Sequence, residues 1–399
     1  MHSTYKFGGK QADTAILRNI LDFYQVKAPH TGQAFTEEML FGIGGGIGYG
    51  YFVFEFSHFT ALVLGTRHSW QSSKDYLEGI CSRIGAQTEC MESGGRKTAK
   101  TNLLEALKNQ QPAIVWVDQA SIPYYFLPDK LKKSFIHVVG VLASQNSAVD
   151  QLWIDDHSRI PFRLDVDTLT EARTIMPYIK TRVMTVSPPK AEIQLKQAII
   201  EGIRLCSESA LNPPIKNFGI EALNKWAKLI ANPKDKKGWP KLFSAESQLY
   251  SVSKDIFHYI ETSGTGGSGS RHMYADFLLE AAAIIDQPIL AEIGEKFRET
   301  ATQWSSLANT TMPDSVKVFR DTKELLLRKW TLFEEKGPSA EAEILQINEA
   351  LDRLKKEVGL QFPFSPTEIQ QWLEQMKTEI EGIYKAEKPL LEKLLQVIS

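Results

Sequence analysis

The sequence predicts an α+β domain followed by an all-α domain. Residues 113–118, 134–142 and 151–157 are apolar or β-branched runs typical of buried strands. From residue 192 to the end, apolar side chains recur at spacings of three and four, a pattern typical of amphipathic helices. A chain of 399 residues is also too long for one ordinary hydrophobic core, so two domains are expected.

The composition is that of an ordinary globular protein, with 43% hydrophobic residues and a formal net charge of -2. Because there is no basic excess, we expect neither nucleic acid nor a membrane as a partner. The N-terminal residues lack the apolar core of a signal peptide, so the expected location is cytoplasmic. Cys81, Cys90 and Cys206 are an odd number of cysteines, which predicts buried or half-buried thiols rather than a disulfide framework.

The best domain boundary is the segment from Ser187 to Lys190, where paired prolines end one element and a long helical pattern follows at once. We therefore predict domains at residues 1–187 and 190–399. The apolar stripes of the second domain are expected to pack in its core or against a partner helix, so this domain is the candidate surface for a homo-oligomer. Its predicted helices cover residues 192–209, 217–231, 244–262, 271–284, 288–307, 313–335, 339–357 and 366–397.

A helix is also predicted over residues 12–26, and its first turn carries the first candidate site. A cysteine at the start of a helix has a lowered thiol pKa, which favours the reactive thiolate. The residue at this position is Ala12, which suits the helix but offers no nucleophile. Gln11 is a candidate hydrogen-bond donor to an oxyanion, although backbone N–H groups at the helix start could serve equally well.

Six glycines between positions 42 and 50 follow a short capped helix, and Gly44, Gly45 and Gly46 are consecutive. Glycine permits positive φ angles and close approach of the backbone. Two interpretations stay open: a tight turn packed under the core, or a wall of a substrate channel beside residue 12. A dinucleotide-binding fingerprint does not fit, because a preceding strand and a suitably spaced acidic residue are both lacking.

His137 lies in a β-branched strand, and the next strand ends at Asp155, Asp156 and His157. A lone histidine in an apolar strand is more often a hydrogen-bonded core residue than a catalyst. A hairpin of this size can nevertheless bring an imidazole beside a carboxylate, which orients the ring and stabilises its charged form. Since side chains alternate along a strand, only one of the two aspartates can face His137. His157 is expected on the solvent side.

Three further polar residues lie at the ends of elements or in loops. Asp118 ends the strand 113–118 and Tyr124 lies in a proline-bounded aromatic loop; a strand end and a packed aromatic are the simpler interpretations. Arg271 follows a glycine-serine turn at a helix start, which suits anion binding, whereas a flexible interhelical loop is the alternative. We expect no metal, because metal-ligand spacing is lacking at the remaining histidines, His30, His58, His68, His258 and His272.

Residues 36–52, 134–156 and 262–277 resemble the butirosin biosynthesis protein H family, and the similarity extends over nearly the whole chain. The resemblance implies a papain-like cysteine protease/transferase fold followed by a helical companion domain. It places the family's nucleophilic cysteine at Ala12, with His137 and Asp156 completing a Cys-His-Asp triad and Asp155 as the alternative carboxylate. Because a similar strand and aromatic loop lie near the pocket in that family, the resemblance also makes Asp118 and Tyr124 candidates for substrate binding.

In activity, the resemblance implies acyl transfer from a carrier-protein thioester to an amine through a cysteinyl thioester, in natural-product biosynthesis. The expected partners are an acyl carrier protein or acyl thioester and an amine acceptor. No cofactor is expected apart from the phosphopantetheine arm that would present the acyl group. The acyl group and the amine cannot be read from the sequence.

Three explanations of Ala12 stay open: a deliberate replacement of cysteine, natural loss of the nucleophile, or a shifted register. We favour the replaced cysteine, which makes this chain an inactive form. The alternative functions are a nucleophile-free binding or scaffold protein, and a relative of cysteine peptidases or amidases.

Overall fold

The computed structural model describes residues 5–55, 60–108, 110–143, 151–244 and 246–398, and it has a mixed α+β fold. The strands are β1 Ile47–Glu55, β2 Thr60–Arg67, β3 Gln87–Met91, β4 Ala113–Asp118, β5 Ile136–Ala143, β6 Gln151–Asp155, β7 Phe162–Asp165 and β8 Val183–Ser187. The helices of the N-terminal half are α1 Ala12–Phe23, α2 Glu37–Ile43, α3 Ser73–Arg83, α4 Arg96–Lys108 and α5 Val166–Thr174. The remaining helices are α6 Leu195–Leu211, α7 Glu221–Ile230, α8 Trp239–Leu242, α9 Glu246–Phe257, α10 Arg271–Ile284, α11 Ile289–Thr311, α12 Lys317–Lys336, α13 Glu341–Leu360 and α14 Pro366–Val397.

The chain divides into two compact units, and neither is continuous in sequence. The sheet unit comprises Met1–Leu40, Ser73–Leu195 and Thr331–Leu345, and the helical unit comprises Phe41–Ser72, Lys196–Trp330 and Gln346–Ser399. This division differs from the continuous domains 1–187 and 190–399 expected from the sequence. The paired prolines lie close to the junction at Leu195. Local composition does not indicate, however, that residues 41–72 belong to the helical unit or that residues 331–345 belong to the sheet unit.

The sheet unit is built on six antiparallel strands in the order β3-β8-β4-β5-β6-β7. Every residue of β4 is buried, as its continuous apolar sequence predicts. Helix α1 packs against β5 at Gly140, where an added Cβ would lie 3.0 Å from the Ile16 side chain. The pairing of β5 with β6 sets Gly140 opposite Asp155, so the start of β5 lies beside the residue after β6. This register brings the two predicted triad segments together.

The helical unit contains the β1–β2 hairpin and helices that include α10, α11 and α14, with α11 packed against the other two. Several predicted helices have the observed bounds or nearly so, among them α10 and α14. Of the described helices, none has the length and apolarity that crossing a membrane requires. Cys81 and Cys206 are buried and Cys90 is half-buried, all as free thiols, which confirms that expectation.

The glycine-rich stretch is only partly a turn. Helix α2 runs to Ile43 and β1 starts at Ile47, so Gly48 and Gly50 lie inside a strand. Their lack of a side chain makes room for neighbours: a Cβ at Gly50 would lie 2.6 Å from the Trp70 indole nitrogen. The interpretation of residues 42–50 as a single turn was therefore too broad. Glycine in this stretch allows close packing in the strand as well as reversal of the chain.

Candidate active site

His137 and Asp156 meet at one end of the sheet. The Nε2 atom of His137 lies 3.0 Å from Oδ1 of Asp156. The Asp156 side chain is fully buried, whereas 13% of the His137 side chain is exposed. The carboxylate therefore orients the ring through Nε2, which leaves Nδ1 as the nitrogen that can exchange a proton with a reacting group.

Two consecutive tyrosines hold the other oxygen of the carboxylate. Tyr124 and Tyr125 donate hydrogen bonds to Oδ2 of Asp156 at 3.0 and 2.9 Å. The Tyr125 hydroxyl also lies 3.0 Å from Nε2 of His137. Tyr124 was predicted as a binding residue, but it is buried with its ring stacked on Phe162 at 3.9 Å, which fits the packed-aromatic interpretation. Sequence reasoning missed Tyr125, although its place beside Tyr124 in the aromatic loop was a usable signal.

The packed rings of Tyr124, Tyr125 and Phe162 form an aromatic wall. A segment from far along the chain, Thr331–Leu345, packs against this wall within the sheet unit. The Phe333 ring lies 5.3 Å from that of Tyr125 and 5.0 Å from that of Phe162. Nearby, the backbone N–H of Arg159 donates to the Glu334 carbonyl at 2.9 Å. The end of α12 thus packs behind the residues that hold Asp156.

The charges of the pair stabilise one another. Burial lowers the pKa of His137, but the charge and hydrogen bond of Asp156, helped by the charge of Asp13, outweigh burial, and the pKa is raised above its ordinary value. Burial alone would raise the pKa of Asp156, yet the charge and hydrogen bond of His137 dominate and hold it below its usual range. The pair therefore favours imidazolium and carboxylate together.

Asp155 points to the opposite side of the strand. Its oxygens accept hydrogen bonds from the Tyr5 hydroxyl at 2.8 Å, the Gly8 N–H at 2.8 Å and the Asn19 amide at 2.9 Å. Burial is the largest effect on its carboxyl group and raises the pKa to about 6. Of the two neighbouring aspartates, Asp156 is the one beside His137, and Asp155 fastens the N-terminal segment.

His157 does not lie on the solvent side; that expectation was wrong. Its side chain is 7% exposed, and its Nε2 lies 3.8 Å from Oδ1 of Asp156. The backbone at His157 has a φ of 33°, and its carbonyl accepts the Gly9 N–H at 3.2 Å. Because the chain turns so sharply after β6, the imidazole is carried back into the site. Burial lowers the pKa of His157, and the charge of His137 adds to that effect.

Residues 11–157, which contain this cluster, match the family described as butirosin biosynthesis protein H, N-terminal. This part of the chain belongs to that family. Residues 167–328 match a second family, a domain of unknown function designated DUF4872. No curated protein matches the chain. The family resemblance seen in the sequence motifs is confirmed for this N-terminal domain.

In the butirosin biosynthesis protein H N-terminal domain, Ala12 is the first residue of α1 and is 9% exposed. The buried Glu37 carboxylate closes the helix start by accepting the N–H groups of Lys10 and Gln11 at 3.0 and 2.7 Å. It also accepts the Thr14 hydroxyl at 3.2 Å. The side-chain oxygen of Gln11 is buried and has no hydrogen-bond partner among the described residues.

Asp118, another candidate in the butirosin biosynthesis protein H N-terminal domain, is fully buried at the end of β4. Its carboxylate accepts the Ser121 hydroxyl at 2.6 Å and the Lys133 N–H at 2.8 Å. These bonds tie down the loop after the strand. The geometry fits the strand-end interpretation, because both carboxylate oxygens already serve the fold.

The glycine triplet lies in the helical unit, although it falls within the matched residues of the N-terminal family. Gly45 and Gly46 have φ angles of 101° and 58°. A Cβ at Gly45 would lie 2.8 Å from the His68 ring, and one at Gly46 would lie 2.4 Å from the Tyr274 ring. These contacts fit the tight-turn interpretation of Gly44, Gly45 and Gly46.

Arg271, in the DUF4872 region, does not fit the predicted anion-binding role. It is fully buried, and its Nε and Nη2 atoms each lie 3.0 Å from an oxygen of Glu387. Its Nη1 donates to the Gly269 carbonyl at 2.7 Å, and the guanidinium lies 4.3 Å from the Trp304 ring. The charge is already neutralised inside the helical unit, so Arg271 holds the fold together there. The sequence could not reveal this, since Glu387 lies 116 residues away.

Proposed function

We propose that the protein is a cysteine-type acyltransferase on a papain-like fold, with alanine in place of its nucleophile. It would form an amide in natural-product biosynthesis by moving an acyl group from a carrier-protein thioester to an amine. The observation that carries the proposal is the His137–Asp156 pair, 3.0 Å apart, inside a butirosin biosynthesis protein H N-terminal domain. An acyl donor on a phosphopantetheine arm would make any other cofactor unnecessary.

The start of α1 is the proposed place of the nucleophile. It belongs to the same unit as His137, and the charge of Asp13, next to Ala12, raises the pKa of His137. The first backbone N–H groups of a helix lack acceptors within the helix, so they suit a developing oxyanion. Position 12 would thus combine a lowered thiol pKa with stabilisation of the tetrahedral intermediate.

With cysteine at position 12, the chemistry proceeds in two steps. The thiolate attacks the thioester carbonyl, the bond to the donor sulfur breaks, and the acyl group becomes attached to the enzyme sulfur. Thioester exchange of this kind has little energetic cost, since one carbon–sulfur bond replaces another. The departing donor thiolate takes the proton of the His137 imidazolium, which leaves the ring neutral. The amine then attacks the enzyme thioester and gives its proton to His137, the carbon–sulfur bond to the enzyme breaks, and the amide is released as the thiolate of position 12 forms again. Asp156 stabilises the imidazolium that results.

A nucleophile-free binding or scaffold protein is the second candidate, and Ala12 itself is the observation that favours it. Such a protein would hold an acyl thioester or a small ligand without covalent attachment. A cysteine peptidase or amidase relative would use the same pair, with an amide in place of the thioester. Restoring the cysteine separates the cysteine enzymes from the binding protein, because a cysteine enzyme of either kind predicts acylation at position 12 and a nucleophile-free binding protein does not.

The test is the intact mass of the Ala12→Cys variant after incubation with a panel of small acyl thioesters. We expect a mass gain equal to the acyl group, absent from the parent protein with Ala12 and from Ala12→Cys/His137→Gln. The native cysteines provide a low background: burial raises the pKa of Cys81 and of Cys206 to about 12 and also raises the pKa of the half-buried Cys90. A folded Ala12→Cys protein with a titratable thiol and no adduct would overturn the proposal.

A further inference from the structure

His157 gives the site a chemical capacity that acyl transfer does not use. The ligand atoms of His137, Asp156 and His157 all lie within 4.8 Å of one another. Two come from residues that follow β6 directly, and the third comes from the second residue of β5. The backbone at these strand ends therefore holds two imidazoles and one carboxylate close together.

Two of the three separations between these atoms are close to those in a coordination sphere, and the third, between the two imidazoles, is within 4.8 Å. With bonds of about 2.0–2.1 Å to a tetrahedral metal ion, ligand atoms lie roughly 3.3 Å apart. Oδ1 of Asp156 lies 3.0 Å from Nε2 of His137 and 3.8 Å from Nε2 of His157, values on either side of that distance. The longer separation is that of an ion pair rather than of a hydrogen bond, and it places the His157 imidazole beside the carboxylate.

The backbone conformation at His157 is a second, independent observation. Its φ of 33° falls in the left-handed region, which is sterically costly for a residue with a β-carbon. Such conformations concentrate at binding and catalytic sites, where the fold holds a side chain in place. Here the conformation carries an imidazole into a buried position that already holds His137 and Asp156.

We propose that His137, Asp156 and His157 bind a divalent transition-metal ion of the zinc type. This proposal replaces the expectation of no metal, which was drawn from the other histidines. Two imidazole nitrogens and one carboxylate oxygen suit zinc and its neighbours, whereas magnesium and calcium prefer oxygen ligands throughout. Bound metal takes the Nε2 lone pair of His137 and releases protons from the ligands. The inference rests on these three residues and on none of the chemistry at position 12.

The experiment is a calorimetric titration of the full chain, first stripped with a chelator and dialysed, with zinc chloride. We expect one saturable site, and no comparable heat from magnesium chloride. His157→Asn should weaken zinc binding by at least about ten-fold. Loss of a residue that only hydrogen-bonds to a metal ligand already lowers metal affinity by about that factor, and His157 is proposed as a ligand itself. Asparagine tolerates the left-handed conformation, so this variant keeps the turn. His30→Asn is the matched control at an exposed histidine of the same unit and should bind as the parent does.

The metal site is overturned if zinc shows no saturable binding or if His157→Asn binds it as tightly as His30→Asn does. A circular dichroism spectrum of each variant verifies the fold. Zinc added to Ala12→Cys should also block its acylation by thioesters, and a chelator should restore it. Saturable zinc binding without acylation would retain the metal site and reject the acyltransferase; acylation without zinc binding would do the reverse.

Discussion

Replacing Asp156 by asparagine removes the charge that holds the His137 imidazolium. With 3.0 Å between Nε2 and Oδ1, the charge centres of the ring and the carboxylate lie farther apart than these two atoms. Two unit charges about 4 Å apart attract by about 4 kcal/mol at an effective dielectric constant of about 20, and one pKa unit is about 1.4 kcal/mol. We therefore expect Asp156→Asn to lower the pKa of His137 by roughly two to three units, to below its ordinary value, because the charge of Asp13 is then the remaining opposition to burial, which is the larger effect.

The assay is an NMR titration of the His137 ring protons. Asp155→Asn is the matched control, because it neutralises an adjacent buried carboxylate that contacts Tyr5, Gly8 and Asn19 instead of His137. We expect it to leave the His137 pKa within about half a unit, with circular dichroism confirming the fold. An unchanged His137 pKa in Asp156→Asn, or an equal fall in both variants, would refute the electrostatic assignment.

The same substitution reverses the contribution of His137 to stability as pH changes. In the parent, the folded-state pKa of His137 is raised, so its contribution is fully present below the unfolded value of about 6.5 and is lost as pH rises through the folded value. In Asp156→Asn the folded pKa lies below the unfolded one, so the contribution is present at high pH and is lost as pH falls. The free energy of unfolding of both proteins is measured with urea at pH values across this range. The parent should gain stability relative to Asp156→Asn as pH falls.

Three further predictions concern stability, each measured by urea unfolding at neutral pH. Tyr125→Phe and Tyr124→Phe each remove a hydroxyl that donates to a buried carboxylate; each should lower the unfolding free energy by about 1.5–3 kcal/mol, and a loss near zero in either would contradict the hydrogen bond. Glu387→Gln leaves the buried Arg271 without a charged partner and should lower the unfolding free energy by about 3–5 kcal/mol. A loss no larger than the loss on breaking an exposed ion pair would show that water solvates the guanidinium. Phe333→Ala removes a ring packed against Tyr125 and should lower the unfolding free energy by about 3–5 kcal/mol. A loss under about 1 kcal/mol would mean that the segment Thr331–Leu345 contributes little to the packing of the aromatic wall.

Much of the secondary structure could be predicted from the sequence. Helix α14 has the predicted bounds, and β4 coincides with the apolar run 113–118. Hydrophobic periodicity is a local property, repeated within a few residues, so the side chains themselves reveal it. The pairing of His137 with one of two adjacent aspartates could also be predicted from the sequence, because two neighbouring strands bring residues close that are 19 apart in the chain. The family resemblance then selected Asp156.

Contacts between distant segments could not be predicted in this way. Only the tertiary structure reveals that His157 turns inward, that Tyr125 reaches both His137 and Asp156, and that Arg271 pairs with Glu387. Each of these depends on the path of the backbone between segments, which local patterns do not record. The sequence by itself determined the element types, the family of the N-terminal domain and the alanine at the start of α1. The fold decided which charged side chains meet in buried surroundings, because burial and pairing arise only when distant segments pack together.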